Sequence, residues 1–331
     1  MPWIHVTVET STRVTAGTGR GTVLITLASF SFGTSGVLAK PTMDAGLSPQ
    51  QVTSVRIGLA ALVLLAVVAT RRPDLLRIDP ADWKLLAGYG LVGVAGVQLL
   101  YFAAVSRIPI GIAMLLEFTA PILVALWVRF VRRTVLPARM WVGTVLAMLG
   151  LALVAQVWQG LRLDAIGLLA GVGAALCAAA YFIVGERGAA RIEPLGLVTW
   201  GMVVGAVAIF FLAPPWTIPF DLLDDGTDFG GWHVPVWTLL VACAVISTAL
   251  AYLLSISALR DLPANVVSVL ALVEPIVATA LAWLILGQAL TVVQVAGAVV
   301  LLIGATVVQL AARAPVVPDL PPASEHVHPV G

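Results

Sequence analysis

Long apolar runs separated by short polar segments recur along this chain, without the period-two alternation of a half-buried strand. A hydrocarbon core about 30 Å thick is crossed by roughly 20 apolar residues in helical conformation. Ten runs reach that length, near 22–41, 50–70, 84–105, 109–130, 138–157, 164–185, 194–213, 235–258, 263–286 and 291–312. Inside lipid, every backbone N–H and C=O must be satisfied within the segment, so continuous runs predict helices and not a barrel. The expected fold class is an all-α polytopic membrane protein with ten transmembrane helices. Residues 1–21 are rich in Thr and Gly and hold no apolar run, which predicts a disordered cytoplasmic segment without a cleavable leader. The Pro-rich stretch 313–331 lacks periodicity and reads as a disordered cytoplasmic tail.

Composition agrees: 60% of residues are hydrophobic and 11% charged, where soluble domains carry about 25% charged residues. A net charge of +1 gives no polybasic or acidic bias, and nucleic acid is not an expected partner. The placement of charge says more than its sum. With ten helices and the N-terminus inside, the cytoplasm receives Arg13, Arg20, Arg71, Arg72, Arg77, Lys84, Arg129, Arg132, Arg133, Arg139, Arg187, Arg191, Arg260 and Arg313. That is 14 of the 18 basic residues; Lys40, Arg107 and Arg162 fall outside and Arg56 lies within a span. The positive-inside rule then places both termini in the cytoplasm. Cys177 and Cys243 lie in apolar runs and read as packing residues. His326 and His328 flank Val327 in the tail, where solvation or weak metal contact are the alternatives; no metal or cofactor site is expected.

The two halves repeat each other. Pro109 and Pro263, Pro121 and Pro275, Gly143 and Gly297, and Gly150 and Gly304 all stand 154 residues apart. Residues 22–157 and 164–312 therefore form two five-helix units, and an odd helix count makes the second enter the membrane from the opposite face. A 5+5 inverted repeat of this kind places substrate near the midplane, between the halves, and alternates access by rocking. Pro109 and Pro263 stand at first turns, where the missing N–H is harmless. Pro121 and Pro275 lie deeper and predict helix kinks that free the carbonyls of Glu117 and Ala271. Presentation of a carbonyl to substrate and a kink repacked by neighbours are both open.

Ionisable residues within spans mark function by default. Glu117 lies about 12 Å from the outer face, and Glu274 about 16 Å from the inner end of its span. Each is read as a substrate-binding or proton-binding carboxyl, against a neutral interhelical hydrogen bond or a cap on the kink. Arg56, six residues into its span, either snorkels outward or turns inward to Glu117 or a substrate carboxylate. Lys40 ends the first span on the outer side, where snorkelling competes with substrate binding. Gln98, Tyr101, Tyr252, Ser247 and Thr248 offer neutral hydrogen bonds, with the first three placed among the candidate substrate residues. Trp127, Trp141, Trp158, Trp216 and Trp237 stand near span ends, as in an aromatic belt.

Gly33-Thr34-Ser35-Gly36 has the form of an intramembrane protease nucleophile motif. Such chemistry needs a histidine base, and His5, His233, His326 and His328 all lie in loops or tails. The stretch therefore reads as a glycine-lined helix contact. No G-x-x-x-x-G-K-[ST] loop is present, which argues against ATP-driven transport by this chain alone. An enzyme is not expected.

Residues 108–126, with Gly111-Ile112-Ala113 and Leu116-Glu117-Phe118-Thr119, carry a family likeness. So do Ser247-Thr248-Ala249-Leu250, Glu274-Pro275 and Leu286-Gly287-Gln288, with Lys40 and Arg56 in the first two helices. On these residues, over about 22–312, the chain resembles the EamA family of the drug/metabolite transporter superfamily, and within it the bacterial threonine/homoserine exporters. Gln288 departs from the pattern, since many relatives carry Glu there. The resemblance implies secondary transport of small metabolites, often outward and often of amino acids, across the plasma membrane. Expected partners are a small-molecule substrate, protons and the lipid bilayer, with a homodimer left open. A drug or other metabolite exporter using Glu117 for protons is the alternative, and a membrane-embedded enzyme or scaffold is a third.

Overall fold

The computed structural model describes residues 9–158 and 164–313. Its long helices are α1 (Glu9–Asp44), α2 (Pro49–Arg71), α3 (Trp83–Val105), α4 (Ile110–Val131) and α5 (Ala138–Val154). They continue with α6 (Ala165–Ala189), α7 (Pro194–Phe210), α8 (Val236–Ala258), α9 (Ala264–Leu286) and α10 (Val292–Arg313). Eight are long and apolar enough to cross a bilayer, while α5 and α7, at 17 residues each, are shorter apolar helices. Between α7 and α8 lies a hairpin of β1 (Gly226–Phe229) and β2 (Trp232–Pro235), antiparallel with Asp228 opposite His233. Large apolar side chains such as Leu62, Phe130, Leu169 and Val292 stand well exposed on the outside of the bundle. In water such a surface would aggregate; around a multi-pass membrane protein it faces lipid.

Local chemistry sets the helix ends. Ser48 and Gln51 form a reciprocal capping box at the start of α2. Asp164 accepts from the Gly167 N–H at 2.8 Å and starts α6. Gly287 ends α9 at φ 65°, a left-handed conformation that glycine adopts without a Cβ clash. Residues 9–21, expected to be disordered, are helical from Glu9 onward. A helix nucleated by the apolar span propagates outward at the gain of one hydrogen bond per residue. Residues 1–8, 159–163 and 314–331, which include His5, His326, His328 and Arg162, lie outside the described residues.

The prolines do not act as simple kinks. In α4 the helix runs Ile110–Glu117, turns at Phe118 and Thr119, and resumes as Ala120–Leu126 with Pro121 in its first turn. In α9 it runs Ala264–Leu270, tightens through Ala271–Val273, and resumes at Glu274 with Pro275 in its first turn. Both are broken helices. The Glu117 carbonyl loses its donor four residues on, as expected. The Ala271 carbonyl does not stay free, because the Glu274 N–H turns to it. Wide π-helical turns occupy Tyr89–Gly96 in α3 and Val245–Leu250 in α8. They overlap at the same 154-residue offset as the prolines. Such turns commonly mark functional sites.

Glycines bring α5 and α10 into backbone contact. A Cβ on Gly143 would stand 2.8 Å from the Gly304 carbonyl oxygen, and one on Gly150 would stand 2.7 Å from that of Gly297. As the number rises along α5 it falls along α10, so the two helices are antiparallel. At the ends of this pair Gln156 donates to the Thr291 hydroxyl at 2.6 Å. Small residues of this kind let helices approach closely where no hydrophobic driving force separates them from lipid.

Candidate functional site

A cavity of about 410 Å³ opens inside the bundle, lined by α1, α2, α3, α4, α6, α8 and α9. Its walls extend from Met43, Pro49 and Ile110, at the end of α1 and the starts of α2 and α4, down to Tyr181, Tyr252 and Ser255. Below them Tyr89 is fully buried and stacks at 5.6 Å from Tyr181, which meets Tyr252 edge-on at 5.5 Å. Phe32 meets Tyr252 edge-on at 5.1 Å from the α1 side. These rings close one end of the cavity with the offset geometries that aromatic quadrupoles favour.

The polar groups converge between those ends. Arg56 projects from α2, and its Nη1 donates to the Ser35 hydroxyl at 2.6 Å. Its Nη2 donates to Gln98 Oε1 at 2.8 Å, and its Nε is buried without an acceptor among the described residues. Glu117, the last residue of the first α4 half-helix, and Glu274, the first residue of the second α9 half-helix, also line the cavity. Both are half-buried. The ion pairs of the described residues include neither carboxyl and do not include Arg56. The C-terminal end of a half-helix gathers carbonyl oxygens and suits a cation, as at Glu117.

Of the residues expected from sequence, Arg56, Gln98, Tyr101, Glu117, Tyr252 and Glu274 share this cavity, and Pro121 lies in its wall. Pro275 is buried and is not a lining residue. Lys40 is not a lining residue: its ammonium is half-exposed and bonds both Asp44 oxygens at 2.9 Å, one turn on. Ser247 and Thr248 bond back to the Cys243 carbonyl within the wide turn of α8. Trp127 does not lie in a lipid belt but packs against the core, with the Arg187 guanidinium 5.9 Å from its ring centre. Ser35, Tyr181, Ser255 and Ser268 line the cavity without having been expected there. Ser35 stands in a motif that reads as a glycine-lined helix contact, and nothing in the local sequence sets the other three apart from ordinary packing residues.

At the end away from Met43 and Ile110, ion pairs tie the two halves together. Arg72 forms a two-pronged pair with Glu193 at 2.8 and 2.9 Å and also holds Asp74. Arg191 meets Asp82 at 2.9 Å, Arg20 meets Asp261 at 3.7 Å, and Arg132 pairs with Glu186. Glu186 also accepts the Ala264 N–H that begins α9. The Arg72 guanidinium holds the Asp74 carboxyl below its ordinary range. At the opposite end the halves meet through Arg107 and Asp164 at 3.7 Å, both half-exposed.

The EamA-like transporter family model matches residues 19–156 and 165–310 of the chain. The threonine/homoserine exporter RhtA of Escherichia coli strain K12 is 34% identical over 82% of this chain and 84% of its own. The protein of the same description from Salmonella typhimurium strain LT2 is 33% identical over 82% and 85%. An uncharacterized transporter of Bacillus subtilis strain 168, YyaM, is 26% identical over 85% of this chain and 92% of its own. A crystal structure at 20% identity superposes with a TM-score of 0.73, over 89% of this chain and 98% of the other.

Proposed function

This chain belongs to the EamA-like transporter family, a family of membrane transporters and not of enzymes, and we propose that it exports small amino acids by alternating access. The observation that carries the reading is one cavity holding a fixed guanidinium and two carboxyls that have no ion-pair partner among the described residues. A zwitterion needs a cation for its carboxylate and an anion for its ammonium. Arg56 supplies the first, and Glu117, with Glu274 nearby, the second. The volume of about 410 Å³ falls at the small end of ligand pockets, roughly 300–1,000 Å³. The exporters of threonine and homoserine among its relatives agree with a cargo of that size.

Ten spans in a 5+5 inverted repeat account for the architecture. The short helix α5 runs the length of α10, from the Gln156–Thr291 contact to Gly143 beside Val308. Likewise α7 follows α2, from the Ser54 bond to the Ala213 carbonyl to the Arg72–Glu193 pair. Gly143 faces Gly304 while Gly150 faces Gly297. That reciprocal exchange of equivalent positions is what a pseudo-two-fold axis demands. With the basic connections inside, the ion-paired end is cytoplasmic and the cavity opens outward. Rocking of the halves would break those pairs and expose the cavity to the cytoplasm.

Accumulation of L-threonine and L-homoserine in the medium of overexpressing and deleted cells tests the function. Equal excretion by both, with amino acids supplied in excess, would sink the amino-acid reading. The aromatic lining by Phe32, Phe102, Phe118 and Phe182 favours a second reading, export of amphipathic amines in exchange for protons at Glu117. Resistance of overexpressing cells to such amines, without amino-acid excretion, would select it.

A further inference from the structure

Gly33-Thr34-Ser35-Gly36 serves two purposes. Gly33 makes the close helix contact: a Cβ there would stand 2.7 Å from Val277. Ser35 instead turns into the cavity and accepts from Arg56 Nη1, while Gln98 accepts from Nη2. Three helices, α1, α2 and α3, thus converge on one guanidinium, and both of its acceptors are neutral. A guanidinium has five N–H groups. Two are taken by these tethers, and the Nε–H is buried with no acceptor among the described residues. Two carboxyls line the same cavity, yet neither forms an ion pair with Arg56. An untethered arginine would be free to swing to a carboxylate of the same half-buried cavity, where attraction is stronger than in bulk water. Such a collapse would spend both anchors on each other and leave none for a zwitterion.

We infer that Ser35 and Gln98 are positioning residues. They hold Arg56 off Glu117 and Glu274 and keep its free N–H groups directed at an incoming carboxylate. The inference rests on the reading of Arg56 as the carboxylate receptor. Neutral tethers suit the task because they fix the fork without neutralising it, so the site is organised before substrate arrives. Gln98 then acts through Arg56 and need not touch substrate itself.

The test reads Arg56 directly. The full chain, purified and reconstituted in liposomes, is treated with phenylglyoxal, and modification of Arg56 is quantified by peptide mass spectrometry. Propionate at a concentration about tenfold above its Kd should slow modification about tenfold, whereas propionamide at the same concentration should not. The Ser35→Ala/Gln98→Leu double variant should lose this discrimination, and adding Glu117→Gln and Glu274→Gln should restore it by removing the competing carboxyls. Should the double variant fail to accumulate, Ser35→Ala alone, with Ser35→Thr as the hydroxyl-retaining rescue, gives the same reading. Discrimination that survives loss of the tethers, or is lost and not restored, overturns the positioning role. Equal protection by propionate and propionamide in the parent protein overturns the receptor reading beneath it. Failure of the parent to move L-threonine, with discrimination intact, condemns the proposed cargo and leaves the positioning role standing.

Discussion

An arginine or carboxyl at mid-membrane costs on the order of 2.5–3.5 kcal/mol on insertion scales, so Arg56, Glu117 and Glu274 need compensation from their surroundings. Arg56 receives part of it from Ser35 and Gln98; the carboxyls have the cavity. Glu117→Gln should therefore fold and accumulate, because the amide keeps volume and hydrogen bonding. Export should drop by about tenfold or more, the value of one charge-assisted contact to an ammonium. Normal accumulation with parental export across pH would make the carboxyl structural. Arg56→Gln should be similarly harmful, with the larger effect on apparent affinity for substrates that carry a carboxylate. These positions are legible in sequence because charge inside an apolar run is anomalous. Ser35 and Tyr181 are not, since serine and tyrosine within membrane helices are common and only three-dimensional neighbours give them a role. Lys40 was legible as an anomaly too, but Asp44 one turn later takes its charge.

Helices α5 and α10 are held by glycine contacts that leave no room for a methyl group. Gly150→Ala would push a Cβ into the α10 backbone at Leu301 and Gly297, and should cost about 1–3 kcal/mol by overpacking. Gly88→Ala, where no neighbouring atom lies within 4 Å of the added Cβ, should be tolerated. Thermal unfolding in detergent would compare them; equal midpoints would refute the packing account. The breaks in α4 and α9 belong to the same scale. Pro121→Ala restores an N–H facing the Glu117 carbonyl and should straighten α4 across the cavity wall. Loss of transport with normal abundance is the expected outcome, and unchanged transport would make the break incidental. The prolines announced an irregularity in the sequence. That it would be a break with a new first turn depended on Phe118–Thr119 and on Ala271–Val273, whose residues have no breaking character of their own.

Across the whole molecule, the proposed rocking cycle assigns the ion pairs at one end to sealing one face of the cavity. A single-cysteine reporter at Ala178, a cavity-lining position, in a background without Cys177 and Cys243, should be labelled by an impermeant maleimide from outside. After Arg72→Gln, Arg132→Gln and Arg191→Gln, labelling from the cytoplasmic side should rise severalfold. No change would show that the pairs do not hold the gate. Asp74, held below its ordinary range by Arg72, adds stability at pH above the unfolded carboxyl value of about 4. That contribution is lost as the pH falls through its lower folded value, so acid and not alkali should loosen this corner. The same topology predicts labelling of 214–234 from outside and of 131–139 from inside; reaction of both from one side would refute it.

The sequence alone determined that this is a multi-pass helical membrane protein of the EamA type, because lipid permits few ways to satisfy a backbone and apolar run length reports them directly. It also determined most of the polar groups of the cavity, because desolvated charge is rare enough to notice. Tertiary structure alone decided that Arg56 rests on Ser35 and Gln98 instead of pairing with Glu117, that Lys40 stands aside, and that tyrosines from α3, α6 and α8 close the cavity. Each of these depends on which faces of distant helices meet. In a bilayer, where every helix surface is similarly apolar, packing of small residues and interhelical hydrogen bonds settle that choice, and the chain shows the small and polar residues without showing which helix they meet.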